Sequence, residues 1–197
     1  AKYRGTDQVA VSFMGDSSTN EGTFHESLNM AAAWKLPAVF IIENNLYGIS
    51  TDIRDVTNTP DLAVRAMAYN IPGVVVDGMD PCAVNKAAKE AIDRARAGEG
   101  PTLIECKTYR WQGHHVGDPA TYRKRKSETE KEDWMAKDAV VNLKKEMLEA
   151  KKAKEADFKA IEDAVEAEIQ EAVKFARDSE YPPAEDAYAD VYECGTL

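Results

Sequence analysis

Short apolar runs alternate with segments of helical period along the first 108 residues of the chain. The four runs are Val9 to Met14, Ala38 to Ile42, Val74 to Val76 and Thr102 to Thr108. Runs of this length, bounded by turn-forming residues, are typical of parallel strands that are covered on both faces. The segments between them can form crossover helices of about 14 residues. We therefore predict an α/β fold with a doubly wound parallel sheet.

Helix signals support this pattern of strands and crossovers. The segment from Glu21 to Trp34 places its apolar residues on one stripe. These residues are Phe24, Leu28, Ala31 and Ala32. A second helix is predicted to begin after the capping residue Asp80, with Pro81 at its first position, and to end before Gly98. A shorter helix is predicted from Leu62 to Tyr69.

The last third of the chain has a different pattern, with dense charge and no strand signal. From about Ala139 to Arg177, apolar residues recur at helical spacing. They form one stripe, which consists of Phe158, Ile161, Val165, Ile169 and Val173. We predict a helical C-terminal tail that packs on the α/β domain through this stripe. The predicted domains are therefore residues 1–126 and residues 127–197.

Charge and composition argue against several classes of function. The formal net charge is −10 and there is no basic stripe, which argues against non-specific binding of nucleic acid. No apolar run approaches the roughly 20 residues of a membrane helix. The N-terminal residues lack an apolar signal core. The widely spaced cysteines, which indicate reduced thiols and a cytoplasmic location, are Cys82, Cys106 and Cys194.

The segment GDSSTNEG, residues 15–22, lies where the first predicted strand turns into the first predicted helix. In an open α/β sheet, ligands bind at the carboxyl ends of strands, where helix N-termini point at them. Free backbone N–H groups in this position suit an anion, above all a phosphate. The segment is neither a GxxxxGK-type loop nor a GxGxxG loop, because it lacks a lysine and has only two glycines.

Asp16 adds a carboxylate to this predicted anion site. A carboxylate beside a phosphate requires a cation between them, and Mg²⁺ suits this role because it combines few protein oxygens with phosphate and water. Asn44 and Asn45 close the next strand, and Asn45 follows Asp16 by 29 positions, the length of one crossover. Taken separately, Asp16 and Asn20 also fit helix caps, and the two asparagines fit a turn. Their occurrence at successive strand ends favours a metal site.

The stretch GDSSTNEGTFHESLNMAAAWKLPAVFIIENNLYGIS resembles the thiamine-diphosphate motif of the alpha subunits of 2-oxoacid dehydrogenases, which begins with GDG and ends with NN. The resemblance continues through TYRWQGHHVGDPATYR and EAVKFARDSEYPP, and it covers nearly the whole chain. Within the family, GHHVGDPATYR and LNMAAAWKLP resemble the pyruvate and acetoin dehydrogenase alpha subunits more than the branched-chain relatives. The resemblance implies the thiamine-diphosphate-binding fold. It also implies oxidative decarboxylation of a 2-oxo acid such as pyruvate, or cleavage of acetoin, with acyl transfer to lipoamide.

The resemblance also implies roles for individual residues. Mg²⁺ would be coordinated by Asp16, by the Asn45 side chain and by the backbone carbonyl of Tyr47. Thiamine diphosphate would be bound by Gly15, Asp16, Ser17, Ser18, Asn20, Asn45 and His114.

One residue departs from the family pattern, since Ser17 stands where the motif has its second glycine. If that position needs a positive φ or a close approach between backbone segments, serine there costs about 1 kcal/mol or more. We therefore expect that Ser17 weakens cofactor binding if either requirement holds.

The resemblance selects His114 as the catalytic residue among three histidines. His25 lies in a predicted helix and is more typical of a packed or surface residue. His114 and His115 lie in a glycine-containing loop just after the fourth predicted strand, and the loop is expected to be mobile until a ligand binds. His114 is the candidate to contact the diphosphate and the substrate, where it could donate a proton or stabilise oxyanion charge. His115 replaces a regulatory phosphoserine of eukaryotic relatives, so kinase control at this position is not expected.

The residues that flank this loop allow more than one role. Three arginines either contact phosphate or keep the loop solvated, and these are Arg110, Arg123 and Arg125. Trp111 and Trp134 are predicted to be packing residues. The charged run from Lys124 to Lys137 is predicted to form a solvated helix face.

The resemblance implies parts that these 197 residues lack. In relatives, the glutamate that activates the aminopyrimidine comes from the beta subunit, and further diphosphate contacts come from the N-terminal half of the alpha subunit. Because the first predicted strand begins at Val9, we expect an N-terminally truncated domain that is inactive alone. The expected partners are a beta subunit in an α2β2 heterotetramer and a lipoyl-bearing acyltransferase. The expected substrate is a small 2-oxo acid or acetoin.

Two other functions remain as alternatives. The first is a non-catalytic assembly module with a vestigial cofactor site. The second is a Mg²⁺-dependent phosphate-ester hydrolase that uses Asp16, but this would need a second pair of strand-end aspartates and a lysine, which the sequence lacks.

Overall fold

The computed structural model describes residues 1–125, 127 and 129–189. The chain divides into two compact units, Ala1–Lys145 and a second unit that begins at Glu146. The first unit therefore includes helices that the sequence analysis assigned to the tail. The functional division into residues 1–126 and 127–197 stays a prediction, and residues 190–197 of the predicted tail lie outside the described part.

The first unit contains a parallel sheet of four strands in the order β1-β2-β6-β5. All three neighbouring pairs are parallel. The strands are β1 (Ala10–Gly15), β2 (Ala38–Asn44), β5 (Gly73–Asp77) and β6 (Thr102–Lys107). The four predicted strands are thus confirmed. A short antiparallel hairpin of β3 (Tyr47–Gly48) and β4 (Thr51–Asp52) follows β2.

The helices follow the predicted alternation. They are α1 (Gly22–Ala33), α2 (Ile53–Val56), α3 (Pro81–Arg96), α4 (Glu130–Met135), α5 (Ala139–Glu149) and α6 (Glu155–Asp178). The 3₁₀ helices are Asp16–Asn20, Leu62–Tyr69, Thr121–Arg125 and Ala184–Tyr188. The segment predicted as a short helix from Leu62 to Tyr69 is therefore helical, but with 3₁₀ geometry. The predicted cap of α3 is confirmed, because the Asp80 carboxylate accepts hydrogen bonds from the backbone N–H groups of Cys82 and Ala83.

Apolar side chains cover the central strands on both faces, which is the doubly wound arrangement predicted from the sequence. One core cluster packs the sheet against α1 and the 3₁₀ helix after β4, and it consists of Phe24, Leu28, Ile42, Ile53, Leu62, Ala66 and Leu103. The other packs the opposite face against α3 and consists of Val39, Ile41, Ala91, Ile104 and Cys106. Successive residues of β2 and β6 alternate between the two clusters, as the pleat requires.

The expectation that β1 is covered on both faces was wrong for this chain. β1 is an edge strand of the sheet, and Val11 and Phe13 are 43% and 65% exposed. The contacts of α3 are with β2, β5 and β6, so the side chains of β1 on that face extend beyond its cover. The continuous apolar run of β1 therefore leaves an apolar edge on the first unit.

The second unit is mainly the long helix α6. The sequence predicted one helical tail from about Ala139, but a turn after α5 separates α5 from α6, and Lys151 in this turn has a φ of +54°. Most of the predicted stripe is exposed, with Ile161 at 61% and Val165 at 53%. The packing of this stripe on another surface stays a prediction.

Two expectations from composition concern cysteines and membranes. Cys82 and Cys106 are free thiols, as expected, with Cys82 exposed and Cys106 buried, while Cys194 lies outside the described residues. Among the helices that the structure describes, none combines the length and the apolar character needed to cross a membrane.

Candidate functional site

Two neighbouring strand ends bring Asp16 and Asn45 together. β1 and β2 run in parallel with Gly15 opposite Glu43, so the residues that follow the two strands lie at the same edge. Asp16 is buried, with 1% of its surface exposed. Its carboxylate accepts a hydrogen bond from the Ser17 hydroxyl at 3.3 Å, and the backbone N–H of Asn45 lies close enough to lower its pKa. The Asp16 carboxylate therefore lies beside the main chain of Asn45, the residue that the sequence predicted as a second metal ligand.

The loop after β2 is bent sharply at these ligands. The Asn45 side-chain oxygen accepts a hydrogen bond from the Tyr47 backbone N–H at 3.2 Å. Leu46 has a φ of +73° and Ile49 a φ of +54°, which is unfavourable for bulky and β-branched residues. Each such residue costs about 1–3 kcal/mol and persists only where the surroundings enforce it. The strain falls on both sides of Tyr47, whose carbonyl is the third predicted ligand.

The donor set fits Mg²⁺. A carboxylate, an amide oxygen and a backbone carbonyl are the oxygen ligands that this ion binds, and each oxygen has a further lone pair for a cation. Burial raises the pKa of Asp16, an effect partly offset by its hydrogen bonds and by the charge of Arg110. A buried carboxylate of this kind is stabilised by a bound cation. No cluster of three or more His, Cys, Asp or Glu side chains suited to a metal occurs in the described part of the chain.

Asp16 and Asn20 do not act as the helix caps that the simpler interpretation required. The N-cap positions are Gly15, before the 3₁₀ helix, and Glu21, before α1, and neither helix start has a side-chain cap. The Asn20 side-chain oxygen accepts a hydrogen bond from Arg65 at 2.7 Å. Asn44, the last residue of β2, and Asn45 do form turns, because each side-chain oxygen accepts the backbone N–H two residues later. The turn interpretation is therefore correct for them, and it is compatible with metal binding.

Of the two features considered for Ser17, the structure shows a close approach to another segment but no backbone strain. Ser17 does not have a positive φ, so no backbone strain arises at this position. The close approach is real, because a Cβ atom on Gly48 would lie 1.8 Å from the Ser17 hydroxyl oxygen. Gly48 therefore makes room for Ser17, and the 3₁₀ helix packs directly on the β3–β4 hairpin.

The Tyr47 side chain connects the segment that carries the predicted ligands Asn45 and Tyr47 to α4. Its hydroxyl donates a hydrogen bond to Glu130 at 2.8 Å, and burial and this carboxylate raise its pKa. Glu130 also pairs with Arg54, which forms a second ion pair with the buried Asp52. The prediction that the charged run from Lys124 to Lys137 is a solvated helix face was therefore wrong for Glu130, whose partners lie in β3 and α2.

The loop after β6 presents His114 at the surface. Its backbone N–H donates to Asp118 at 2.8 Å, and its side chain is exposed. Gly113 permits this bend, because a Cβ atom there would lie 2.4 Å from the Asp118 carbonyl oxygen. The neighbouring His115 ring accepts a hydrogen bond from the Gly117 N–H. Asp118 thus holds the main chain that carries His114.

Two of the flanking arginines hold main-chain carbonyls. Arg110 donates to the carbonyls of Tyr47, at 3.1 Å, and of Ile49. Arg123 is buried, lies over the rings of Tyr47 and Tyr109, and donates to the carbonyls of residues 111 and 112. Arg123 is thus not a solvating residue. The side chain of Arg125 lies outside the described part.

The tryptophans and His25 have the packing roles that the sequence predicted. Trp134 stacks on Tyr109 with an interplanar angle of 14°, and Trp111 contacts the same ring. The His25 ring lies 2.5 Å from the Tyr69 hydroxyl, in hydrogen-bond contact. These aromatic contacts join the segment after β6 to α4, and α1 to the 3₁₀ helix Leu62–Tyr69.

A continuous chain of hydrogen bonds links the predicted metal loop to the histidine loop. Arg110 contacts the Tyr47 carbonyl with one nitrogen and the Tyr122 hydroxyl with the other, at 2.7 Å. The Tyr122 hydroxyl donates to Asp118 at 2.8 Å, and Asp118 accepts the His114 N–H. The two parts of the candidate site are thus mechanically connected, although the sequence separates them by more than 60 residues.

The description "Dehydrogenase E1 component" belongs to the family model that matches residues 1–185. The chain belongs to this family. The E1-family resemblance drawn from the motifs is confirmed, and the parallel α/β sheet with its C-terminal helix agrees with it.

Similar proteins come from several sources. The chain is 47% identical over 192 residues to the alpha subunit of acetoin:2,6-dichlorophenolindophenol oxidoreductase from Bacillus subtilis, covering 98% of this chain and 56% of that protein. It is 47% identical to the chloroplastic pyruvate dehydrogenase E1 component subunit alpha-3 of Arabidopsis thaliana, covering 89% and 40%. It is 40% identical to the pyruvate dehydrogenase E1 component subunit alpha of Rickettsia felis, covering 97% and 58%. The chain spans about half the length of these E1-family relatives.

Glu105 contacts the end of β2 and was not predicted from the sequence as a functional residue. Glu105 is fully buried in β6 and contacts Asn44, Ala63 and Lys107. An ionisable residue between Ile104 and Cys106 in a predicted buried strand was the available signal, because an unpaired charge at such a position is very costly.

The hydrogen bonds of Asp118 predict an unusual titration in the histidine loop. The backbone N–H groups of His114 and Ala120 and the Tyr122 hydroxyl lower the pKa of Asp118 to about 2. A lowered pKa means that the loop is stabilised above the ordinary value of 3.8 and loses this stabilisation as the pH falls toward 2. We expect the Asp118 carboxyl carbon signal in NMR spectra to remain that of the ionised form at about pH 3. A midpoint near the ordinary value would show that these hydrogen bonds do not hold the loop in solution.

Proposed function

We propose that this chain is the cofactor-holding part of the alpha subunit of a thiamine-diphosphate-dependent 2-oxoacid or acetoin dehydrogenase. The observation that supports this most directly is the contact of Asp16 with Asn45 beside the strained Tyr47 loop. This contact lies at the carboxyl edge of a parallel sheet, where ligands of such folds bind. It occurs in a chain of the dehydrogenase E1 family.

In this proposal the strand-end oxygens bind Mg²⁺. Asp16 supplies the charged ligand, Asn45 its side-chain oxygen and Tyr47 its main-chain carbonyl. Arg110 already contacts that carbonyl, so metal binding requires the carbonyl to use its other lone pair or Arg110 to shift. Burial disfavours the charge of Asp16, as its raised pKa shows, and a bound cation would stabilise that charge.

The diphosphate of the cofactor would be held by the segment from Gly15 to Asn20. The N–H groups of Ser17 and Ser18 begin a 3₁₀ helix whose N-terminus has no side-chain cap, and such groups favour an anion. A cleft of about 180 Å³ opens beside Ser18. Because Glu21 also lines this cleft, the anion would bind at the N–H groups and the metal rather than deep within it.

His114 would act on the reacting substrate. Its imidazole is exposed and its main chain is fixed by Asp118, so it could donate a proton to a developing oxyanion. Thiamine diphosphate, when bound, supplies the bond-cleaving chemistry next to the carbonyl group, and the protein supplies position and electrostatics. The hydrogen bonds through Arg110 would keep His114 at a fixed position relative to Tyr47.

Substrate and partners follow from the same proposal. Relatives include a subunit of an acetoin oxidoreductase and subunits of pyruvate dehydrogenases, so we propose pyruvate or acetoin as substrate, with acyl transfer to lipoamide. The proposed partners are a beta subunit, in an α2β2 heterotetramer, and a lipoyl-bearing acyltransferase. The cytoplasmic location stays a prediction.

A reconstitution experiment tests the proposed function. The isolated 197-residue chain should neither decarboxylate pyruvate nor cleave acetoin, whatever the cofactor concentration, because catalysis requires all parts of the site to be held together. The complete alpha subunit, assembled with its beta subunit, Mg²⁺ and thiamine diphosphate, should turn over one of the two substrates. Turnover by the isolated chain would contradict the divided site. A stable assembly that neither binds the cofactor nor turns over would favour the alternative of a non-catalytic assembly module.

A further inference from the structure

The central strand β6 contains a buried carboxylate, Glu105, near its carboxyl end, where the candidate site lies. Glu105 has none of its surface exposed and lies opposite Ile42 of β2 and Val75 of β5. Leu103, two residues earlier on the same face of β6, is part of the apolar cluster against α1. Glu105 thus interrupts an apolar face just before β6 reaches the site.

Three hydrogen-bond donors contact the Glu105 carboxylate. One carboxylate oxygen accepts from the Asn44 side-chain nitrogen and from Lys107, each at 2.7 Å. The other accepts from the Ala63 backbone N–H at 2.9 Å. Lys107 in turn contacts Asp61 and the carbonyl of residue 60. A buried charge is tolerated only with such partners, and here they come from three different segments.

The contact with Glu105 fixes the orientation of Asn44. Because a carboxylate only accepts hydrogen bonds, the Asn44 side chain must present its nitrogen to Glu105 and therefore its oxygen to the opposite side. That oxygen accepts the backbone N–H of Leu46 at 3.2 Å. The Asn44 carbonyl also accepts the Thr108 N–H at 2.9 Å, so β6 and the residue that follows it hold both the side chain and the main chain of Asn44.

Leu46 is the residue that must be held. Its φ of +73° directs the chain from Asn45 into Tyr47, and it is stabilised by the hydrogen bond to Asn44 and by that from the Ile53 N–H to its carbonyl. A strained residue persists only when its surroundings enforce it. Glu105 thus orients the Asn44 side chain, and Asn44 holds Leu46. Leu46 lies between Asn45 and Tyr47, so its conformation sets the direction of these two predicted ligands.

We propose that Glu105 is a positioning residue for the metal site, which acts through Asn44 and Leu46 on Asn45 and Tyr47 without contacting the ion. This inference rests on the proposed function, since it concerns the same Mg²⁺ site. Residues that orient metal ligands typically change metal affinity about 10–100-fold when replaced. Glu105 would be such an orienting residue, although it is buried in the core and does not contact the predicted ligands Asn45 and Tyr47.

The test uses Mn²⁺ as a spectroscopic substitute for Mg²⁺. In the complete alpha–beta assembly with thiamine diphosphate, Glu105→Gln should raise the Mn²⁺ dissociation constant, measured by electron paramagnetic resonance, about tenfold or more. The introduced amide can accept hydrogen bonds with its oxygen only, so either Asn44 or Ala63 loses its acceptor. Glu43→Gln makes the same chemical change at an exposed position of β2 and should leave the dissociation constant unchanged.

A double variant that exchanges the carboxylate and the amide between positions 44 and 105 distinguishes a positioning role of Glu105 from a general effect on stability. In the double variant Asn44→Asp/Glu105→Gln, the glutamine nitrogen donates to the aspartate, which still accepts the Leu46 N–H. The double variant should bind Mn²⁺ within about threefold of wild type, whereas a merely structural loss would not be rescued. If Glu105→Gln alone fails to fold, binding by the double variant decides. Wild-type affinity in Glu105→Gln, or weak binding by the double variant, would overturn the inference.

A second measurement distinguishes this inference from the proposed function. In the assembly without metal or cofactor, amide exchange at Leu46 should be faster in Glu105→Gln by about tenfold and restored in the double variant. If the wild-type assembly does not bind Mn²⁺ at all, the proposed function is contradicted, while the exchange at Leu46 still tests Glu105. Unchanged exchange at Leu46 would contradict the role of Glu105 alone.

Discussion

Replacing Asp16 with alanine is expected to abolish Mg²⁺-dependent binding of thiamine diphosphate by the complete alpha–beta assembly. Asp16 is buried between two strand ends and contacts Asn45. Without its charge, the two neutral oxygens of Asn45 and Tyr47 would have to hold a divalent cation alone. Calorimetric titration of thiamine diphosphate in the presence of Mg²⁺ measures the effect. Binding of near-normal affinity in Asp16→Ala would show that Asp16 is not a metal ligand.

The matched control for Asp16 is Asp77. It ends β5 at the same edge of the sheet, is exposed, and accepts only a local hydrogen bond from the Met79 N–H among the side-chain contacts described. Asp77→Ala is expected to bind thiamine diphosphate as wild type does. Equal losses in the two variants would point to a general effect of charge at this edge.

Loss of binding must also be separated from loss of folding. Because burial raises the pKa of Asp16, ionisation disfavours the folded state, and stability without metal falls as the pH rises above the ordinary value of 3.8 through the raised pKa. Asp16→Asn removes this charge and keeps most of the volume. Its melting temperature without metal at neutral pH should equal or exceed that of wild type, but Mg²⁺ and cofactor should no longer raise it. A strongly destabilised Asp16→Asn would contradict this explanation.

Replacing His114 with alanine in the active assembly is expected to reduce turnover about 10²-fold or more, the usual scale for a positioned acid–base group. The main chain of His114 is fixed by Asp118, and its side chain is free to meet a substrate. His115 is the matched control, since its ring accepts only the Gly117 N–H among the hydrogen bonds described. Steady-state turnover should be near wild type in His115→Ala. Equal losses in both variants would assign the effect to the loop as a whole.

The layers of the fold could be predicted because their signals are local. Apolar runs of strand length, helical stripes and the Asp80–Pro81 start of α3 each specify one element without distant partners. The tail was predicted less well, since the turn between α5 and α6 occurs in a lysine-rich stretch whose residues are good helix formers. Lys151 has a φ of +54°, a conformation that glycine or asparagine usually adopts, so the sequence contains no signal for this turn.

The sequence predicts ligands for the candidate site, but it does not predict the residues that support them. Asp16 and Asn45 carry a motif, and the parallel register of β1 and β2 brings them together. Glu105 carries no motif, because its partner Asn44 is 61 positions away and only the sheet order places them side by side. The same holds for Arg110, whose contact with Tyr47 spans 63 positions. The predicted ligands thus rest on a motif in the sequence, whereas the long-range contacts around them require the fold.

The departure at Ser17 shows the same limit. The sequence indicates only that serine replaces glycine, and two physical consequences were possible. The structure removes the first, since φ is not positive, and supports the second, since Ser17 lies against Gly48. A close approach between residues 31 positions apart cannot be deduced from either residue alone.

The central claim is that the edge formed by β1 and β2 holds thiamine diphosphate through Mg²⁺. Isothermal titration of thiamine diphosphate into the complete alpha–beta assembly, with Mg²⁺ and then with the metal removed by a chelator, tests it most directly. We expect saturable binding with one cofactor for each copy of this chain, and loss of that binding when Mg²⁺ is removed. Absence of binding, or binding that does not depend on the metal, would contradict the account.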